Sequence, residues 1–231
     1  MGFSDSQHLR KTVAGMCMVV GPLLLLGAFV ASPRLETGAA AQLRVAAEHV
    51  DRYYIVTLIA MVGVALMVPA VLGLMHMVRE RRPGYGALGG GLTVLGLLAT
   101  MASFGISFAI WRMAADGVQS TDVSLLKSII DSTGVVVPIT IVGFLGAAGF
   151  VVLMLGMYRG HVVDWWMALF AATGVVLINI AFPVGMLALA IVGSALLLVG
   201  LGAIGLVVVR ESDADWEHTP DHGGWRPAAT H

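Results

Sequence analysis

Residues 178–186 read "INIAFPVGM", and the fold depends on what the chain does there. They interrupt a stretch from 165 to 209 that contains no Asp, Glu, Lys or Arg. As one helix, that stretch of about 45 residues would run roughly 68 Å at 1.5 Å per residue, over twice the thickness of a hydrocarbon core. It must turn back. Asn179, Pro183 and Gly185 supply the break, because proline lacks a backbone donor and disfavours helix in the residue before it.

Working outward, the other charge-free stretches are 12–33, 53–78, 83–111 and 132–158. Each is long enough for one span of about 20 apolar residues. The fold class expected is therefore an all-α membrane protein, a polytopic bundle of six transmembrane helices. Its spans should be 12–32, 53–78, 87–111, 135–158, 163–181 and 185–209, within a transmembrane domain 12–209. A segment 1–11 precedes it and a tail 210–231 follows. The first run is longer than the apolar part of a signal peptide, and "AFVASP" (28–33) is a poor cleavage site, so it is expected to remain as a span.

Composition agrees. The chain is 58% hydrophobic and 12% charged, about half the charge of an ordinary soluble domain. A net charge of −1 gives no field that points to nucleic acid. Eleven arginines against Lys11 and Lys127, with abundant Ala, Gly and Val, suggest a GC-rich bacterial genome. Cys17 is the single cysteine and lies in an apolar run, so it reads as a small buried hydrophobe.

Orientation follows from basic residues in short loops. Arg10 and Lys11 precede span 1, Arg79, Arg81 and Arg82 separate spans 2 and 3, Arg159 follows span 4, and Arg210 follows span 6. Alternating spans put all of them at one end, which makes both termini cytoplasmic in a cell (cytoplasmic) membrane. Tyr53, Tyr54 and Trp111 then fall at the outer boundary, and Trp165 and Trp166 at the inner one, as interface anchors.

Two amphipathic segments are expected on the non-cytoplasmic side. In 34–54, Leu35, Ala39, Leu43, Ala46, Val50 and Tyr53 recur at steps of three and four, opposite Arg44, Glu48 and Arg52. In "STDVSLLKSIIDSTG" (120–134), capping residues open a helix with Val123, Leu126 and Ile130 on one face. Both read as lids on the bundle. "MVPAVLGLM" (67–75) and "FVVLMLGMY" (150–158) align without gaps through Val68/Val151, Leu72/Leu155 and Gly73/Gly156. This echo suggests two tandem span–amphipathic segment–span units followed by a hairpin. The tail, polar and acidic with Gly and Pro, has no apolar period and is expected to be disordered.

The chemistry is sparse. No expected span carries an ionisable Asp, Glu, Lys or Arg, which disfavours an intramembrane proton relay, a charge-ring channel and a voltage sensor. The polar residues within spans are Thr57, Thr93, Thr100, Ser103, Ser107, Thr140, Thr173, Asn179 and Ser194. Thr100, Ser103 and Ser107 share one face of span 3, either as contacts between helices or as a polar lining. Asn179 is expected to satisfy backbone groups freed by the turn. His76 and His161 are the one pair that could ligate a membrane haem. His218 and His222, with Asp221, are the candidates for a metal in the tail. "HMVRERRPGYGALGGG" (76–91) divides into the end of span 2, the charges of Arg79, Arg81 and Arg82, and a turn from Pro83 to Gly91. Within that turn, Gly86 and Gly90 allow close helix packing.

The function expected is that of a non-enzymatic integral membrane protein, an accessory, scaffold or interaction subunit with no cofactor. Its expected partners are the lipid bilayer and another membrane protein or a second copy of the chain. The alternative is a carrier or channel for a small neutral or apolar solute, using the Pro69 and Pro138 kinks and the hydroxyls of span 3. A haem-binding redox protein is the third reading. A cavity between the spans that reaches Ser103 would favour the carrier, and a dry close-packed bundle the scaffold. A reporter fused after His231 should give a cytoplasmic signal, and changing Arg79, Arg81 and Arg82 together to Asn should disturb insertion or orientation.

Overall fold

Gly185 is where the long apolar run folds back. It adopts a left-handed backbone (φ 69°) and donates its N–H to the carbonyls of Ala181 and Phe182. Met186 N–H reaches Ala181 O at 3.0 Å. This is the Schellman closure, which satisfies end carbonyls and which glycine adopts without steric cost. The helix before it runs through Pro183 to Val184, three residues beyond the expected end. Proline deprives only one carbonyl of its donor, that of Asn179 four residues back, so the last turn survives.

The computed structural model describes residues 3–134 and 136–210. Among the described residues it holds eight helices and no strand: α1 Phe3–Ala31, α2 Ala39–Glu48, α3 Val50–Val78, α4 Pro83–Ala115, α5 Ser120–Ile130, α6 Val136–Arg159, α7 Trp165–Val184 and α8 Leu187–Arg210. Six of them are long and apolar enough to cross a membrane, α1 from Leu9 onward. The chain is thus a multi-pass, all-helical protein by length and composition. The tail from 211, with its expected disorder and with His218 and His222, lies outside the described residues.

Three local expectations need correction. Pro83 to Gly91 do not turn the chain: Pro83 is the first residue of α4, a position where its missing donor is not needed and its fixed φ suits the helix. The span expected from 87 therefore starts four residues earlier. Pro138 is the third residue of α6, within the first turn, where backbone N–H groups have no helical acceptor anyway. It begins the helix rather than kinking it. Finally, segment 34–54 is not one helix. His49 (φ −143°, ψ 52°) separates α2 from α3, and residues 32–38 form an extended strap before Gly38 (φ 98°) starts α2.

The six long helices close into a ring in the order α1, α3, α4, α6, α7, α8, with α8 returning to α1. Apolar side chains gain little by leaving lipid for one another, so such helices hold together through close backbone approach at small residues. Four of the six seams have a glycine-to-glycine approach, and a fifth seats side chains on glycines. Gly21 faces Gly63 between α1 and α3, and Gly15 faces Gly205 between α1 and α8. Gly96 meets Gly146 between α4 and α6, and Gly174 meets Gly193 between α7 and α8. Gly86 and Gly90 of α4 lie against Val78 and Met75 of α3. The seam between α6 and α7 has no such crossing among the described residues, and it is the most sparsely packed of the six.

One end of the ring carries the α3–α4 and α6–α7 loops and the end of α8; it is called the basic end below. Here Arg81 Nη1 donates to the carbonyls of Gly160 (2.7 Å) and His161 (3.2 Å), tying the two loops together. Arg159 Nη1 donates to Tyr85 Oη at 2.9 Å. The half of the bundle nearest this end is solid. Met18, Leu74, Phe150, Leu153, Met154, Met157, Leu201 and Ile204 are fully or almost fully buried in it.

The other end carries the strap, α2 and α5. Ala39, Leu43 and Ala46 of α2 bury against Ile110 and Ala114 of α4 and Leu126 of α5. Leu35, on the same expected face, belongs to the strap instead. α5 opens with a reciprocal cap: Gln119 takes the N-cap position, and its backbone N–H bonds Asp122 Oδ2 at 2.9 Å. At the echo positions, Leu72 and Leu155 are exposed while Gly73 and Gly156 are buried.

A Cβ added at Gly146 would lie 2.5 Å from Gly96 Cα. Gly146→Leu should therefore part α4 from α6, at a cost of about 1–3 kcal/mol or more from overpacking. A Cβ at Gly91 meets nothing within 4 Å, so Gly91→Ala should stabilise by up to about 1 kcal/mol through helix propensity. Thermal unfolding in mild detergent reads both.

Candidate binding cavity

Above the solid half, the six helices splay and enclose a cavity of about 680 Å³. That volume falls within the range of small-molecule sites, about 300–1,000 Å³. It reaches Ser103. All six spans contribute to its wall, and the strap and α2 cover it. Along α3 the lining runs from Tyr53 to Met67, about 21 Å at the helical rise.

Six of the nine polar residues within the spans converge on this one space: Thr57, Thr100, Ser103, Ser107, Thr140 and Asn179. The three hydroxyls of α4 form a ladder down one wall, as their spacing on one helix face requires. Each donates to the carbonyl four residues back: Thr100 to Gly96 (2.9 Å), Ser103 to Ala99 (3.1 Å) and Ser107 to Ser103 (3.5 Å). Thr57 bonds Tyr53 O in the same way at 2.8 Å, and Asn179 Nδ2 bonds Val175 O at 3.0 Å. These bonds occupy the donors and leave oxygen lone pairs over. At these five side chains the wall is therefore chiefly a hydrogen-bond acceptor. Asn179 adds to this, since Pro183 has no N–H to give its backbone carbonyl. Its amide serves the turn before it, whereas the expectation was that it would satisfy groups freed at the break.

Polarity falls with depth. Arg34 and Glu36 of the strap stand at the top, the hydroxyls lie below, and Leu25, Val64, Met67, Leu97 and Leu197 make the floor. Beneath the floor the solid half closes the way to the basic end. No described lining residue belongs to the basic end. Arg52 Nε donates to Ala31 O at 2.6 Å, fixing the point where the strap leaves α1. Thr37 lies beside Gly185, so the strap also rests on the α7–α8 turn.

The other residues singled out in the sequence take varied places. Tyr53, expected as an interface anchor, lines the cavity with its phenol beside the Ser107 hydroxyl. Tyr54 stacks on Trp111 (ring centroids 4.6 Å apart), Trp166 meets Phe170 edge-on at 6.1 Å, and Trp165 is 63% exposed. Thr93 and Ser194 are buried outside the cavity and bond Gly89 O and Ile191 O. His76 lies in the last turn of α3 and His161 in the α6–α7 loop with φ 52°. Arg81 is the residue that draws the loop of His161 toward the α3–α4 connection. Among the described residues, no group of three or more His, Cys, Asp or Glu is placed to hold a metal. Sequence reasoning missed the strap residues Arg34, Glu36 and Thr37 as part of a site, because they read as the start of an amphipathic helix.

Comparison with protein families, curated proteins and solved structures finds no match for this chain.

The cavity predicts a contrast on one helix. Ala60 lines it, whereas Ala70 is fully buried in the solid half. Ala60→Phe should be accommodated within about 0.5 kcal/mol. Ala70→Phe should destabilise by about 1–3 kcal/mol or more. Unfolding midpoints of the two variants give the comparison.

Proposed function

We propose that this chain is a non-enzymatic protein of a bacterial cytoplasmic membrane, with both termini in the cytoplasm. In this reading it takes up a small, neutral, mainly apolar molecule in the cavity under α2 and acts as its binding protein or carrier. The observation that carries the proposal is the cavity itself, reaching Ser103 and lined by polar groups from four of the spans. A scaffold subunit has no use for such a space, and a bundle packed solid along its whole length would serve it better. The carrier reading accounts for the space, the acceptor-lined wall and the covering strap together.

Neutrality of the ligand follows from the wall. Apart from Arg34 and Glu36, the described lining residues offer hydroxyls and the amides of Gln42 and Asn179 but no carboxylate, ammonium, guanidinium or imidazole. A buried charge would meet no counter-charge there and would pay its full desolvation cost. The same chemistry supports a non-enzymatic role, since none of these groups is an acid or base near neutral pH. The positions of Arg79, Arg81, Arg82, Arg159 and Arg210 support a cytoplasmic basic end, so the cavity faces outward.

The test uses Ser103→Cys in a Cys17→Ala background. A membrane-impermeant methanethiosulfonate added outside intact cells should label Cys at 103, and octanol should slow the labelling. No labelling from outside, or labelling indifferent to octanol, would defeat this reading.

A further inference from the structure

We infer that the ligand is a single-chain amphipath with a neutral, hydrogen-donating head, and that it comes sideways from the adjacent leaflet through the seam between α6 and α7. The inference rests on the proposed reading of the cavity as a binding site. It is carried by two observations independent of the cavity's size: where the ring is open, and the direction in which the wall changes from polar to apolar.

The opening is at one seam. α6 and α7 are joined at the basic end by residues 160–164 and pack sparsely beyond it, without the close glycine contacts found at each of the other five seams. No described residue of α6 before Gly146 is buried. Residues on both lips are exposed and line the cavity at once: Thr140 on α6, Phe182 (51% exposed) and Pro183 on α7. Phe29 meets Phe182 edge-on at 6.0 Å, so aromatic packing backs the α7 lip on its α1 side. Thr140 lies four residues into α6 and Phe182 two residues from the end of α7, about 6 Å and 3 Å of helical rise. The lips are thus at the depth where headgroups meet hydrocarbon.

The gradient fits a lipid-like molecule already in that leaflet. Polar groups lie toward the strap and the apolar floor toward the bilayer centre, the same sense as the leaflet itself. An amphipath can slide across the seam without turning over and without taking its head through hydrocarbon, a step that costs several kilocalories for unpaired polar groups. A volume of about 680 Å³ spread over about 21 Å of helical rise averages roughly 32 Å² in section, room for one extended chain. The wall selects the head. Five of its hydroxyl and amide side chains already donate to backbone carbonyls, so a head that donates hydrogen bonds finds more open partners there than one that only accepts.

The probe is a monoacylglycerol carrying a diazirine near the end of its chain, presented to the full-length protein in lipid nanodiscs, with adducts mapped by mass spectrometry. Saturable labelling should fall on the floor around Met67, Leu97 and Leu197. Unlabelled monoacylglycerol should compete about fivefold to tenfold better than the fatty-acid methyl ester of the same length, the effect of about one hydrogen bond. Thr140→Trp should slow labelling and Phe182→Ala should speed it. Ile141→Trp, a change at a 52% exposed position outside the lining, should do neither. Floor labelling unaffected by Thr140→Trp would overturn the lateral route and leave the cavity as a binding site. Equal competition by the methyl ester would overturn the donor head. An unlabelled floor in a protein whose Ser103→Cys is still shielded by octanol would overturn the amphipath class alone. Failure of both readouts would take the binding reading with it.

Discussion

Every long helix here is held by a constraint particular to lipid: contact between helices must come from shape, since there is no water to expel. Glycine-to-glycine approach supplies that shape at Gly21/Gly63, Gly15/Gly205, Gly96/Gly146 and Gly174/Gly193. The crossings do more than stabilise. Because they join α3, α1, α8 and α7 in a row and bind α4 to α6, the bundle is built from a tight set of four and a tight pair, and the looseness left over is greatest between α6 and α7. A solid half and a hollow half in one bundle are two results of this uneven distribution.

The number of long helices was legible in the sequence because charge-free length is a coarse quantity that local detail hardly disturbs. The hydroxyl face of α4 was legible too, through the spacing of Thr100, Ser103 and Ser107. The cavity was not. A wall that faces a cavity and a wall that faces lipid use the same residues, and nothing in Leu25, Val64, Leu97 or Leu197 tells a reader which side is empty. Tyr53 shows the same ambiguity, since a tyrosine near a helix end suits an interface and a cavity equally well. The break at His49 lacked any Gly or Pro to announce it. Packing of α2 on α4 and α5 pulls that short helix out of line, and the backbone of His49 absorbs the change of direction.

Two arginines perform matching tasks at opposite ends. Arg52 donates to the last carbonyl of α1 and Arg81 to the carbonyls just after α6. The chain leaves a helix at each place with carbonyls that have no helical donor, and a guanidinium both satisfies them and complements the negative end of the helix dipole. Arg81 thereby has a structural task beside the one expected of its charge. It holds two loops in register at the end where the bundle is solid, while Arg52 fixes the strap at the end where it is hollow.

The closed half of the bundle has a particular material character. Met18, Met77, Met154 and Met157 are buried in it, Met67 is buried at its upper boundary, and Met75 and Met167 pack against it, seven of the chain's thirteen methionines. Methionine is unbranched, with three freely turning bonds, and refills irregular gaps that leucine or phenylalanine would leave open. The barrier under the cavity is consequently compliant. On the proposed reading, it would change shape around a longer or shorter hydrocarbon chain while remaining sealed, so the seal would not demand that the occupant have one fixed length.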